Sequence, residues 1–320
     1  MSLFSELGGK LKRIYGGWSL YADMAARFAL TFFCLFWIRL ITGGTGFLIS
    51  IPLMILASAA TAVLSLNFMF WPAAIMLTAA AYTKGPDLAG ASAAILLVLF
   101  LLFLRFVPDE LKYAFLMPLA MYFGFTPLLP LYCGLKKKPS VLFALLPGTV
   151  IFHVLAGIAE AGGQLPALDG MNFTERLKLF LNSIFTMDLA VMLIAVASCM
   201  FLTYMIRRLA IDYAFYFALL FGGGIYLLCL FFGNIGAGTE FSLFPAVIST
   251  AASVFMLFIF LLLFLPLNFK KSEQLRFEDD DYYYYVKAVP KYSSYADDEE
   301  EEEDEYEEED DDYYYDDEDD

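Results

Sequence analysis

His153 is the only histidine in the chain, and the residues around it are the ones whose types could do chemistry. Glu160 follows seven residues later, on the same face of a helix. Asp188 lies one to two turns into the next apolar block, and Arg105 ends an earlier one. Ionisable groups at membrane depth are costly, so each is a functional candidate by default. Histidine titrates near neutrality and a neighbouring carboxylate tunes it, so Arg105, His153, Glu160 and Asp188 could relay protons. The same four could instead hold a cationic solute in a polar pocket open to the exterior. A structural reading competes with both: Glu160 marks the membrane edge, Asp188 caps a helix start, and Arg105 snorkels.

Other chemistries lack their residues. No Gly-rich phosphate loop is present, which argues against an ATPase. A single histidine cannot supply HExxH, and no GxSxG elbow accompanies it. Asp188 is the one acid well inside a span, which argues against a two-aspartate intramembrane protease. Cys34, Cys133, Cys199 and Cys229 lie in or at the ends of apolar blocks without CxxC spacing, as small buried hydrophobes do. The expectation is a non-enzymatic protein with no cofactor and no metal.

The elements that must position these residues are membrane helices. The chain is 60% hydrophobic with a mean hydropathy of +0.65, outside the range of soluble domains. Long stretches such as Ala89 to Leu104 and Phe241 to Asn268 carry no charge, and a run of about 18 or more apolar residues reads as a span, since ~20 residues at ~1.5 Å each cross a ~30 Å hydrocarbon layer. Unbroken apolar blocks argue for helices rather than barrel strands. The fold class is therefore all-α, a polytopic transmembrane bundle over residues 23–268. Blocks fall at 24–42, 46–64, 66–82, 88–105, 111–133, 141–160, 183–206, 211–233 and 243–266.

Basic residues orient the blocks. Lys136, Lys137 and Lys138 form the densest positive loop and are placed inside, as are Arg207 with Arg208 and Lys270 with Lys271. Working backwards, 88–105 starts inside beside Lys84, and the N-terminus is also inside. Nine crossings cannot place both termini on one side. Either 24–42, with Arg27 and Arg39 near its ends, fails to cross, or 46–82 crosses once as a hairpin turned at Ser65, Leu66 and Asn67. About eight crossings are expected, in the cell membrane, with both termini cytoplasmic and one sizeable external loop at 161–182.

Pro127 and Pro130 must kink or break 111–133, and Pro147 could do the same to 141–160; broken helices line cavities in many transporters. Gly222, Gly223 and Gly224 are expected to loosen 211–233. Small residues at Ala57, Ala60, Ala89, Gly90, Ala93 and Ala94 permit close helix packing.

The two ends differ sharply. Residues 1–22 read as an amphipathic interfacial helix, with Lys10, Lys12 and Arg13 off an apolar stripe that includes Leu7, Leu11 and Trp18. Residues 1–266 carry 15 Lys+Arg and 11 Asp+Glu, whereas residues 267–320 carry 5 and 25. Such a tail, 269–320, is expected to be disordered and repelled by nucleic acid, but able to attract a basic cytoplasmic protein. Within it, Phe277, Tyr282, Tyr283, Tyr284, Tyr285, Val286 and Pro290 form an aromatic, β-prone docking segment that could add as a strand to a partner's sheet edge. The competing reading puts these tyrosines at the membrane surface.

Two functions follow as expectations. One is an assembly or recruitment factor that engages a cytoplasmic partner through the tail. The other is a transporter or solute-binding membrane subunit built around the four polar residues. The lipid bilayer is a partner of either.

Overall fold

The computed structural model describes residues 2–43, 46–163, 173–209, 214–239, 241–264, 273–278 and 283–288. Side chains are described over 21–43, 46–161, 173–209, 214–239 and 241–261. The chain divides into two units, Met1–Phe264 and Leu265–Asp320.

Eleven helices of nine or more residues are described in the first unit. They are α1 (Ser2–Thr42), α2 (Ile51–Val63), α3 (Phe70–Tyr82), α4 (Pro86–Leu102), α5 (Lys112–Tyr122), α6 (Leu128–Lys136), α7 (Leu142–Gly163), α8 (Phe173–Ile184), α9 (Met187–Arg207), α10 (Ala214–Gly236) and α11 (Leu243–Phe264). Six apolar stretches are long enough to cross a membrane: Tyr21–Thr42, Pro86–Phe106, Pro139–Ala161, Phe173–Arg207, Ala214–Gly236 and Leu243–Leu261. They lie on α1, α4, α7, α8 with α9, α10 and α11. Large apolar side chains such as Leu56, Phe201, Phe232 and Phe255 remain exposed on the bundle, as a lipid-facing surface requires.

The direction of each helix follows from its contacts. Lys137 Nζ donates to Glu110 Oε1 at 3.0 Å, so the chain entering α5 meets the chain leaving α6 at one end, here termed the basic end. The Arg207 guanidinium donates to the Leu135 carbonyl, which places the C-terminus of α9 at that end. The backbone of Gly134 lies against Thr203 and Met200 of α9. Gly222 and Gly233 of α10 face Thr203 and Val191, so α10 runs antiparallel to α9. Gly223 abuts Thr250 and Val254, and the Tyr216 and Phe258 rings lie 5.3 Å apart, so α11 returns to the basic end. The α10–α11 turn at the far end is pinned by Asn234, which donates to the Phe241 carbonyl and accepts from Thr239 and the Phe241 amide.

In the other half, Gly148 of α7 lies against Ala114 and Met117, while Gly157 lies against Phe180, Ser183 and Ile184 of α8. The helix α7 therefore rises from the basic end to α8 at the far end. At the far end Arg176 of α8 pairs with Asp87 in the first turn of α4, 3.2 Å apart. The helix α4 thus descends to the basic end. Cys34 and Trp37 of α1 meet Phe115 and Tyr122 in ascending order, so α1 also rises.

Two helical pairs turn back on themselves as hairpins. Of these, α5 and α6 have 11 and 9 residues, about 16 and 13 Å against a ~30 Å hydrocarbon layer. Both ends of this pair are tied at the basic end by Glu110 and Lys137. Its tip carries Gly124 at φ 76°, with the Phe125 amide bonded to the Ala120 carbonyl at 2.8 Å, a left-handed helix stop that glycine adopts without penalty. The second pair, α2 and α3, enters from the far end, where Gly46 lies beside Thr83, and turns at residues 64–69. Phe70, just after that turn, packs edge-on against Phe115 of the opposing hairpin, ring centroids 5.5 Å apart.

These contacts correct several expectations. By length and composition six stretches qualify as spans, α2 and α3 are shorter apolar helices, and the apolar block 111–133 is a hairpin rather than a span. The start of α4 lies at the far end with α8, not beside the Lys136–Lys138 loop, because Asp87 binds Arg176. The helix α1 runs unbroken from Ser2 to Thr42, and its apolar stretch begins at Tyr21. Pro147 leaves α7 unbroken. Gly222 and Gly223 do not loosen α10; they are buried where neighbouring helices come closest.

In the second unit, β1 (Glu273–Glu278) pairs antiparallel with β2 (Tyr283–Ala288), setting Phe277 opposite Tyr284 and Leu275 opposite Val286. These twelve residues are the described strands of the second unit, while the first unit is helical throughout its described elements. Tyr282, Pro290 and the polyacidic end lie outside the described residues.

Candidate functional site

The four polar candidates do not form one site. Arg105 sits exposed in the turn that ends the descent of α4, about 27 Å along the helix from Asp87. It belongs to the basic end, whereas Glu160 and Asp188 are exposed at the far end. Arg105 is thus removed from the group, because α4 runs opposite to the direction that Lys84 implied. His153 is half-buried on α7 between the two ends, and its Nδ1 lies 3.0 Å from the Thr149 carbonyl one turn earlier. Among the described residues no hydrogen bond or ion pair joins any two of the four.

The prolines divide by position. Pro127 caps the start of α6 and Pro130 occupies its first turn, where no backbone donor is lost, so both mark the break between α5 and α6. Pro147 instead lines an apolar crevice of about 310 Å³ with Leu99, Val150, Leu193 and Ala197.

What the structure gathers is the tip of the α5–α6 hairpin. Non-helical backbone at membrane depth persists only where protein or a wet cavity satisfies it. Here the Ser249 hydroxyl of α11 donates to the Gly124 carbonyl. The Tyr226 hydroxyl of α10 donates to the Met192 sulfur at 3.7 Å, and Thr126 beside Gly124 in the turn is buried. Phe123 stacks on Phe33 and Trp37 packs on Tyr122, with ring centroids 5.7 and 4.5 Å apart. Hydroxyls and a backbone carbonyl converge here, groups that bind and orient rather than exchange protons near neutrality. The two prolines were the only sequence sign of this tip. Ser249, Tyr226 and Thr126 carried none, since hydroxyls at helical positions usually bond their own backbone.

Two ion pairs hold the ends. At the basic end, Glu110 accepts from Lys137, with Lys112 at 3.7 Å from its other oxygen. At the far end, Asp87 is 7% exposed and faces Arg176. Removing Arg176 strands a buried carboxylate, so Arg176→Ala is expected to destabilise more than Asp87→Asn. A double-mutant cycle on thermal unfolding in detergent should return a coupling of about 1–3 kcal/mol. A coupling near zero would mean that the pair does not fasten α8 to α4.

Among the described residues no three His, Cys, Asp or Glu side chains are placed to hold a metal. The chain matches no protein-family model, no curated protein and no solved structure. Its class rests on its own geometry: a helical bundle with six helices long and apolar enough to cross a membrane, compatible with a multi-pass membrane protein, and two helical hairpins between them.

Proposed function

We propose that the chain is a non-enzymatic membrane protein that recruits a cytoplasmic partner through its C-terminal unit. The observation that carries this reading is the antiparallel pairing of Glu273–Glu278 with Tyr283–Ala288. A two-stranded hairpin is marginal alone in water and gains stability when a third strand or a packing surface is added. Both of its strands are edges, and β-augmentation uses such edges. The acids that follow would favour a basic partner and make capture sensitive to salt.

Cytoplasmic termini in the cell membrane are part of the proposal. Arg105, Lys112, Lys136, Lys137, Lys138, Arg207 and Arg208 gather at the basic end, against Arg39, Lys84, Arg176 and Lys178 at the far end. The positive-inside bias supports a cytoplasmic basic end.

The test compares three proteins in crosslinking capture from a cytoplasmic extract: full-length wild type, full-length Val286→Pro and a deletion of 297–320. Proline at 286 removes a backbone donor from β2 and disfavours a strand. Val286→Pro is expected to abolish specific capture, while the deletion retains it and loses only its salt sensitivity. Equal capture by wild type and Val286→Pro would reject the docking role.

A second reading, transport, is favoured by the two hairpins that enter the bundle from opposite ends. Broken helices meeting inside a bundle are where transporters build solute sites. Under this reading the hydroxyl-lined tip at Gly124–Pro127 replaces the Arg105, His153, Glu160 and Asp188 group as the binding region.

A further inference from the structure

We propose that the groove between the Phe47–Ile49 turn, α3 and α4 is a binding site for an anionic phospholipid, with one acyl chain along the groove and the headgroup phosphate at Lys84. This goes beyond partner recruitment and does not depend on it.

The groove has a volume of about 800 Å³ and is walled by Phe47, Ile49, Ile75, Ala79, Ala89 and Ala93. The alanines leave the space: on α4, Ala89 and Ala93 line an open channel rather than seating a neighbouring helix. The hydroxyls that border it are already committed. Thr78 donates to the Ile75 carbonyl at 2.8 Å, and Thr83 donates to the Ala80 carbonyl at 2.7 Å. The wall therefore presents carbon and methyl surface.

Its surroundings name the occupant. Trp71, Leu97 and Val98 on the same two helices are exposed apolar side chains, as the lipid-facing side of α3 and α4 must be. An apolar groove that opens sideways at hydrocarbon depth is filled by acyl chain, because water there would find no partners. Towards the far end of the bundle the groove reaches Tyr82, 67% exposed, followed by Lys84. Tyrosine and lysine are the residues that sit at headgroup level. The nearest acid in sequence, Asp87, is paired with Arg176 and so does not neutralise Lys84. An apolar channel ending in a cation at the interface matches a phosphate with a chain attached.

The experiment is native mass spectrometry of the delipidated full-length protein given equal phosphatidylglycerol and phosphatidylcholine. One basic residue near the surface is worth ~1 kcal/mol towards anionic lipid, so about fivefold preferential retention of phosphatidylglycerol is expected. Lys84→Gln should bring the ratio close to one while chain binding persists. Ala93→Trp and, on the opposite wall, Ala79→Phe should remove the adduct. Gly90→Leu is the control, since a side chain there meets open space on the same helix. Retention unchanged in both filled variants would overturn the groove. Equal retention of the two lipids by wild type, or an unchanged ratio in Lys84→Gln, would overturn the headgroup assignment.

Discussion

A leucine at Gly148 is expected to destabilise the fold by about 2–3 kcal/mol, and a leucine at Gly222 by a similar amount. A Cβ at Gly148 would stand 2.6 Å from the Met117 Cβ and 3.0 Å from the Ala114 carbonyl oxygen. Both are fixed parts of α5 rather than flexible side-chain ends, so α7 and the hairpin would have to separate. At Gly222 a Cβ would stand 2.0 Å from Thr203 Oγ1 and 2.8 Å from a Leu131 methyl, driving α10 away from α9 and α6. Close helix approach at small residues is a main source of cohesion in lipid, where apolar burial between helices gains little. Gly224 and Gly90 provide the contrast: nothing lies within 4 Å of a Cβ at either. Alanine there should be neutral, or stabilising by up to about 1 kcal/mol through helix propensity. Thermal scans read by size-exclusion in detergent check all four. Gly148→Leu melting with wild type would mean that the hairpin is not seated by α7.

The second large effect is all-or-none. Single cysteines at Arg105 and Lys138 are expected to react with an impermeant maleimide from one side of the membrane. Cysteines at Pro86, Glu160 and Asp188 should react from the other. All five positions are exposed, while Cys34, Cys133 and Cys199 are buried. Cys229 is half-buried and is replaced by serine in the background. Positive-inside reasoning on the sequence exchanges two of these results, putting Pro86 with Lys138 and Arg105 with Glu160. The structure reverses them because Asp87 is bound to Arg176 at one end and Glu110 to Lys137 at the other. Labelling of Arg105 and Glu160 from the same side would refute the direction of α4. A cysteine at Phe125, beside the hairpin tip, separates the two functional readings. Reaction from water at that depth supports transport, and protection removes its site.

The apolar blocks locate almost every helix, because transfer into lipid depends on local length and composition. Hydropathy cannot tell one crossing from two half-length helices that return, since both bury the same kind of side chain. Punctuation located the turns without giving their meaning: Pro127 and Pro130 mark the break before α6, and Ser65–Asn67 marks the α2–α3 turn. The expected site failed for a related reason. Arg105 was grouped with Glu160 and Asp188 on an assumed direction for α4, and the single lysine at position 84 was too weak a signal to set it.

By itself the sequence determined a membrane-embedded helical body, a composition break near residue 265 and a β-prone segment in the tail. These depend on solvent preference and local propensity, which each stretch carries alone. Only the tertiary structure decided that six helices are long enough to span, that two hairpins oppose each other, and that β2 pairs with Glu273–Glu278. Those depend on pairs such as Asp87 with Arg176 and Glu110 with Lys137, whose partners lie 89 and 27 residues apart. Contacts at such separations form only when the whole chain packs, so no local window contains them.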